Sequence, residues 1–512
     1  MTCRDLPARV ADTENPLPAT SHPRRVPARP TDPPCLLGLP TGTGPTAGHP
    51  ATTRMRPPAG RTTRAEQADR AAQMDLAEHT AQTAQAGPTA RAKPTTQAGW
   101  ASARERLRHA TAATAALVEQ RTPAHRDRAL DGLRALALLA VPVGHWLLGG
   151  LTLGSEGALH NTSPLAAFGL LAPVSWVLQM LGIFFLVGGC ASALSLRRSA
   201  ERGVPTGDWL RGRLARLGRP VLGVAAVWAV LLPVLYAAGV PAGTLRTGVV
   251  LVVQPLWFVG IYVLVTALTP WCVRAARTYG GWAAVPLLGT VAVVDLLRYG
   301  PWADAMPSWL GLLNLGPGWL FAYQLGVCWG EGRLGRRGAR LMLLGGGALF
   351  AVLLLAFHYP ASMVGVPGTN RTNSHPPSLL VLALACVQCG AAILLRDRLD
   401  GLLRRRQRLW AAVVGVNLSA MTIFCWHQTA LLTLAIPGSL VGVPVPGLTT
   451  PPDTTVWILA RLAWLPLIAA TLFALGRLTH RFEAPWTGIR GSRRAAVAVL
   501  AGVFACYALT VV

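Results

Sequence analysis

From residue 129 onward the chain alternates long apolar runs with short polar segments, most of which contain arginine. Each run has about 18 to 25 residues, enough for one α-helix to cross a hydrocarbon core about 30 Å thick. The pattern predicts an all-α bundle of about ten or eleven transmembrane helices, with 156–173 either a loop or a re-entrant piece. The expected spans are 129–152, 174–195, 219–239, 248–271, 282–299, 309–330, 341–358, 377–395, 410–436, 456–475 and 494–512.

Composition points to the same class of protein. Hydrophobic residues make up 52% of the 512 positions and charged residues only 13%, against about 25% charged residues in soluble proteins. The net charge of +25 is spread over short runs between apolar stretches, whereas nucleic-acid binding needs basic residues gathered on one soluble face. We therefore expect the lipid bilayer as the partner, and no nucleic acid.

The first 128 residues differ from the rest. They contain 16 prolines, many Ala, Thr and Arg, and few clustered apolar side chains, so they cannot bury enough apolar surface to offset chain entropy. No apolar stretch follows the early arginines, as a signal peptide would require. We expect a disordered tail over 1–128, with transient polar helices near 65–86 and 101–120, followed by the membrane domain 129–512.

The arginines predict the orientation of the bundle. Twenty-four of them lie in the loops 196–218, 272–281, 331–340, 396–409 and 476–493 and the adjoining positions 219 and 494. The alternate loops and adjoining helix ends contain only Arg246, Arg298 and Arg371, and Arg461 lies inside a span. Because basic loops stay on the cytoplasmic side, we expect a multi-pass cell-membrane protein with a cytoplasmic N-terminus and an extracytoplasmic C-terminus.

The first span contains an arginine and a histidine on one face. Arg134 and His145 are eleven residues apart, which in a helix is three turns plus about 20° and roughly 16 Å along the axis. A guanidinium near the cytoplasmic end can meet an anionic ligand, and a neutral imidazole deeper in the span can accept a proton. The alternative is structural: Arg134 pairs with Asp131, and His145 bonds a neighbouring helix.

Five segments between about 125 and 480 resemble the acyltransferase 3 family of integral membrane acyltransferases, which transfer acyl groups to hydroxyls of carbohydrates and related molecules. The first segment matches the family's arginine, ten residues, histidine motif. The second has Gly188 where the family has serine. The segments are Leu130 to His145, Gly182 to Gly189, Arg213 to Pro220, Pro255 to Phe258 and Ile423 to Gln428.

The resemblance implies an O-acyltransferase that uses acyl-CoA, often acetyl-CoA, as donor and has no bound cofactor or metal. His145 then acts as general base or carries the acyl group transiently, with Arg134 in the same groove. Anionic CoA favours a basic mouth, although the loop arginines also satisfy the topology rule without any ligand. The expected donor site is Arg213, Arg216 and Arg219, and the expected acceptor or support residues are His427, Trp257 and Asp131.

Two other classes remain open. A transporter would show internal repeats and facing acidic residues near the midplane. The sequence has no evident repeat, and its one intramembrane acid, Asp295, has Arg298 three residues later. A membrane scaffold acting through the tail is the third class. Nine cysteines are scattered, and Cys386 with Cys389 forms an isolated CxxC that we interpret as small buried residues. The acceptor, the acyl chain and the oligomeric state stay open.

Overall fold

The computed structural model describes residues 96–479, except positions 302 and 370. The expected span 494–512 and the tail before residue 96 lie outside these residues. Within the described part, α-helices follow one another along the chain, and the one sheet is a two-stranded antiparallel hairpin. Nine helical stretches of this part are long and apolar enough to cross a membrane, which confirms the predicted polytopic helical bundle.

The longest connection between the α-helices of the described part is the loop 356–378. The first half contains α1 (Thr96–Arg121), α2 (Arg128–Leu148), β1 (Gly150–Leu153), β2 (Leu159–Thr162), α3 (Pro164–Ala167), α4 (Ala172–Leu178), α5 (Leu181–Glu201), α6 (Thr206–Ala237), α7 (Ala242–Val253) and α8 (Trp257–Ala267). The second half contains α9 (Thr269–Tyr279), α10 (Val285–Tyr299), α11 (Leu315–Gly330), α12 (Arg336–Leu355), α13 (Leu379–Arg405), α14 (Gln407–Leu418), α15 (Ala420–Leu440) and α16 (Thr455–Thr479).

Several boundaries differ from the predicted spans. Helix α6 begins at Thr206 rather than at 219, so the arginines expected in a loop lie on a helix. The expected loop 272–281 is also largely helical, because α9 buries one apolar side and leaves its arginines on the other. The expected span 410–436 is interrupted at Ser419, between α14 and α15. Hydropathy marks the apolar part of a helix, and a helix continues beyond it wherever the polar residues stay on its exposed face.

Helix α1 lies within 1–128, where the sequence predicts a transient polar helix near 101–120. Its residues Ala115 and Val118 are only 2% and 5% exposed, and Val118 packs against α14. Arg128 forms an ion pair with Glu119 at 2.6 Å, and its guanidinium lies 5.0 Å from the centre of the Trp410 ring. These contacts join α1 to distant parts of the chain, and the low hydrophobicity of α1 gave no sign of them.

Helices α2 and α13 run antiparallel and define two ends of the bundle. The Arg128 amide donates to Asp400 at 3.1 Å, so the start of α2 meets the end of α13. Arg396 pairs with Asp127 at 2.7 Å at the same level. We call this the basic end. The other end, where α2 leads into the β1–β2 strands and α13 begins, is called the hairpin end.

The centre of the bundle depends on glycine contacts between α5 and α11. A Cβ atom at Gly189 would collide with the Tyr323 carbonyl, and one at Gly326 would collide with the Leu186 carbonyl. Small residues let two helix backbones approach closely in a membrane bundle. The second family-like segment therefore has a packing function here, and it brings the buried Phe185 ring against Trp319 with ring centres 5.4 Å apart.

Candidate active site

Helix α2 positions the two residues that the sequence paired. Its first turn is capped by the Asp127 carboxylate, which accepts from the Leu130 amide at 3.1 Å. The helix then continues to Leu148 with Pro142 inside it. Arg134 and His145 are both half-buried. One continuous helix thus connects them, with Arg134 toward the basic end and His145 toward the hairpin end.

His145 meets a second histidine from α15. Its Nδ1 lies 2.7 Å from His427 Nε2, and the two rings stack with centres 4.9 Å apart. His427 Nδ1 lies 2.7 Å from the carbonyl oxygen of Phe424. A carbonyl only accepts hydrogen bonds, so in neutral His427 the proton is on Nδ1 and Nε2 is the acceptor. His145 therefore donates from Nδ1 and keeps a lone pair on Nε2.

The position of His427 is fixed by its surroundings. The residue is 1% exposed, and its carbonyl oxygen accepts from Trp146 Nε1 at 3.0 Å. The side-chain amide of Gln428 lies 3.3 Å from His145 Nδ1, and its oxygen has no other partner. Because Nδ1 carries the proton, the amide orientation that fits is the one that turns this oxygen toward Nδ1. His145 does bond a neighbouring helix, as the structural alternative supposed, but the bond also sets which of its nitrogens is free to accept a proton.

Asp131 does not pair with Arg134. Its carboxylate accepts two hydrogen bonds from Arg126, at 2.6 and 3.1 Å, so that interpretation is wrong. Asp131 points back toward the chain before α2, and none of the described residues forms a hydrogen bond or ion pair with Arg134. The Arg134 guanidinium interacts electrostatically with Arg213. Asp131 thus stabilises the start of α2 through Arg126 and does not neutralise Arg134.

The three expected donor arginines are not equivalent. Arg213 is half-buried, donates to Ser192 Oγ at 3.0 Å, and lies 5.1 Å from the centre of the Trp209 ring. Arg216 is exposed and donates to the Gly212 carbonyl of its own helix at 3.3 Å. Arg219 is half-buried one turn further on. The charge of Arg213 interacts electrostatically with that of Arg134, and two cations that interact in this way favour an anionic ligand.

Trp257 lies against a histidine that the sequence did not single out. Its ring is 4.6 Å from the ring of His375 and nearly perpendicular to it, and 5.6 Å from Trp319. Trp257 is 4% exposed, so it supports neighbouring rings and presents no open face to a ligand. His375 belongs to a loop without hydrophobic periodicity, so no sequence pattern indicated that its side chain packs against Trp257.

Asp295 lies outside this site. It forms the expected pair with Arg298 at 3.7 Å, and it also accepts from Asn314 at 2.9 Å, Tyr359 at 3.2 Å and the Leu379 amide at 2.7 Å. The carboxylate thus holds the first turn of α13 in place. Such a fully bonded acid serves structure and leaves no free oxygen for ion transport.

Comparison with known proteins assigns the family. The family model of the acyltransferase domain of acyltransferase 3 matches residues 127–476, which include Arg134, Arg213, His145 and His427. No curated protein and no solved structure matches the chain. Within 96–479, no group of three or more His, Cys, Asp and Glu residues has an arrangement that could hold a metal ion. The chain belongs to the acyltransferase 3 family and is a multi-pass membrane acyltransferase.

Proposed function

We propose that the protein transfers an acyl group, with acetyl as the first choice, from acyl-CoA to a hydroxyl of a carbohydrate, lipid-linked or secondary-metabolite acceptor. The observation that carries the proposal is the chain from the Phe424 carbonyl through His427 to His145. This chain leaves a lone pair on His145 Nε2, and a general base for a hydroxyl needs such a nitrogen.

Arg134 and Arg213 are the proposed donor residues. Their interacting charges support binding of the CoA phosphates, for which guanidinium groups are well suited. Arg134 is roughly 16 Å from His145 along α2. A donor anchored by its phosphates at the basic end can extend its thioester arm over that distance. In this proposal the basic end faces the cytoplasm, where acyl-CoA is present.

The reaction then needs one base and no cofactor. His145 Nε2 takes the proton of the acceptor hydroxyl while the oxygen attacks the thioester carbonyl. The tetrahedral intermediate expels the CoA thiolate, which takes the proton from the His145 imidazolium. The products are an ester and CoA thiol, and His145 returns to its neutral state. In the alternative route the same Nε2 attacks the thioester carbonyl and expels the CoA thiolate, which is released. The acceptor hydroxyl then attacks the acyl-imidazole, the bond from Nε2 to the acyl carbon breaks, and the hydroxyl proton passes to solvent as the ester forms.

The experiment compares His145→Ala with the wild type in purified protein, using acetyl-CoA and a panel of hydroxyl acceptors. Loss of a general base should slow transfer by about 10²- to 10⁴-fold. The matched control is His358→Asn, because His358 is an exposed histidine outside the site. Wild-type transfer by His145→Ala would exclude His145 as the base. A wild type that consumes no acyl-CoA with any acceptor would refute the proposed reaction.

A further inference from the structure

The loop between α12 and α13, residues 356–378, is held by its own polar side chains. Asn373 is 1% exposed and donates to the carbonyls of Pro360 and Ser362, at 2.6 and 2.8 Å. It also accepts from Ser378 Oγ at 2.7 Å, and Thr372 Oγ1 donates to the His375 carbonyl at 2.6 Å. None of these bonds uses the His375 imidazole. Several hydrogen bonds of the loop thus lie on either side of His375 and hold its backbone in place.

The loop lies at the hairpin end, next to His145. Helix α13 begins directly after it, and α13 runs antiparallel to α2. Gln179 donates to Ser374 Oγ at 2.8 Å, while the neighbouring Leu178 lies close to Gly144 on α2. Residues 374 and 144 are thus joined through two consecutive residues of the 178–179 segment. His375 also interacts electrostatically with His145.

The chemical state of His375 suits a hydroxyl ligand. Burial, with a smaller effect from His145, lowers the pKa of His375 to about 4. At neutral pH the ring is therefore uncharged and has one N–H donor and one nitrogen acceptor. A hydroxyl group can accept from the first or donate to the second, whereas a phosphate would favour a cation. The edge contact with Trp257 limits rotation of the ring.

We propose that His375 is an acceptor-binding residue, which hydrogen-bonds a hydroxyl of the neutral polyhydroxyl part of the acceptor at the hairpin end. This inference rests on the proposed function and deepens it. Arg134 lies toward the basic end of α2, and His375 lies in the loop at the hairpin end. The anionic donor enters from the basic end, and the acceptor approaches from the loop. Trp257 is then a positioning residue for His375.

The test uses His375→Asn and His375→Gln, with His358→Asn as the matched control on the same loop. His358 is exposed and has a positive φ of 52°, a conformation that Asn tolerates. Initial rates are measured with acetyl-CoA and the best of a panel of methyl glycosides. In His375→Asn the acceptor KM should rise by about 3- to 10-fold, as expected for one lost hydrogen bond, while the donor KM is unchanged. His375→Gln should recover part of the acceptor affinity.

Each outcome bears on the inference. An unchanged acceptor KM in an active His375→Asn enzyme overturns it and leaves the proposed function intact. A parallel change of donor KM, acceptor KM and Tm indicates a structural role only and also overturns it. A wild type without acyl-CoA consumption overturns both the proposed function and the inference that rests on it. The expected result is a change of the acceptor KM alone, with the donor KM and Tm unchanged. A loosened loop would not give this result, because it would also change Tm.

Discussion

Replacement of His427 tests whether the histidine pair sets the proton-accepting atom of the site. In His427→Ala, the acceptor for His145 Nδ1–H at 2.7 Å is removed. The carbonyl that accepts from Trp146 belongs to the backbone and stays. His145 itself is unchanged, but nothing then holds its proton on Nδ1. The fraction of His145 with a free Nε2 lone pair falls, and the ring is less well oriented.

The size of the effect follows from the bond that is lost. A hydrogen bond of this kind contributes about 0.5 to 1.5 kcal/mol, which is about 2- to 13-fold in the population of the correct tautomer. Looser orientation adds to this, and the upper limit is the loss of the base itself, about 10²- to 10⁴-fold. We therefore expect kcat to fall by about 10- to 100-fold, with smaller changes in either KM.

The assay measures kcat and both KM values for His427→Ala and His427→Gln. A glutamine can place its carbonyl oxygen close to the position of His427 Nε2, so it should restore a large part of kcat. Thr429→Val is a control two residues further along α15, where the hydroxyl accepts from Trp228 at 3.1 Å. An equal loss of kcat in His427→Ala and His427→Gln, or an unchanged kcat in both, would refute the idea that His427 acts by accepting the hydrogen bond from His145 Nδ1.

Three further predictions use other parts of the structure. Arg213→Ala should raise the donor KM at least tenfold, since a charge-assisted bond contributes about 1.5 to 3 kcal/mol, while exposed Arg216→Ala should change it less; equal donor KM values in the two variants would contradict this. The hydrogen bond from Arg128 holds the pKa of Glu119 below its usual range. The ion pair therefore stabilises the docked α1 at pH values above the pKa of Glu119 in the unfolded chain, and this stabilisation is lost as the pH falls through the pKa of Glu119 in the folded protein. Glu119→Gln should mimic that loss at pH 7 and weaken docking by about 1 kcal/mol, seen as faster limited proteolysis within α1; an unchanged cleavage rate would contradict it. A cysteine in place of exposed Thr369 should react with an impermeant thiol reagent in intact cells, because the loop 356–378 is expected outside the cell. If this cysteine reacts only after the cells are opened, the proposed orientation is reversed.

The sequence alone determined the class of fold and one face of the site. Apolar runs of spanning length, separated by arginine-rich segments, are sufficient to predict helices in a bilayer, because a membrane helix makes its backbone hydrogen bonds internally. The same local geometry predicted that Arg134 and His145 share a face of one helix. The structure keeps both residues on α2. Helical spacing is a property of neighbouring residues, and it can be read without knowing what the helix packs against.

The partners of these residues depend on how the helices and loops pack together. His145 and His427 are separated by 282 positions, and Asp131 bonds Arg126 rather than the arginine that follows it on α2. His375 is brought against Trp257 by a loop with no periodic pattern. Each of these contacts depends on how far one element is rotated and shifted against another. The rotation and shift of each element result from side-chain packing over the whole interface, as at the glycines between α5 and α11. No local segment of the sequence encodes them.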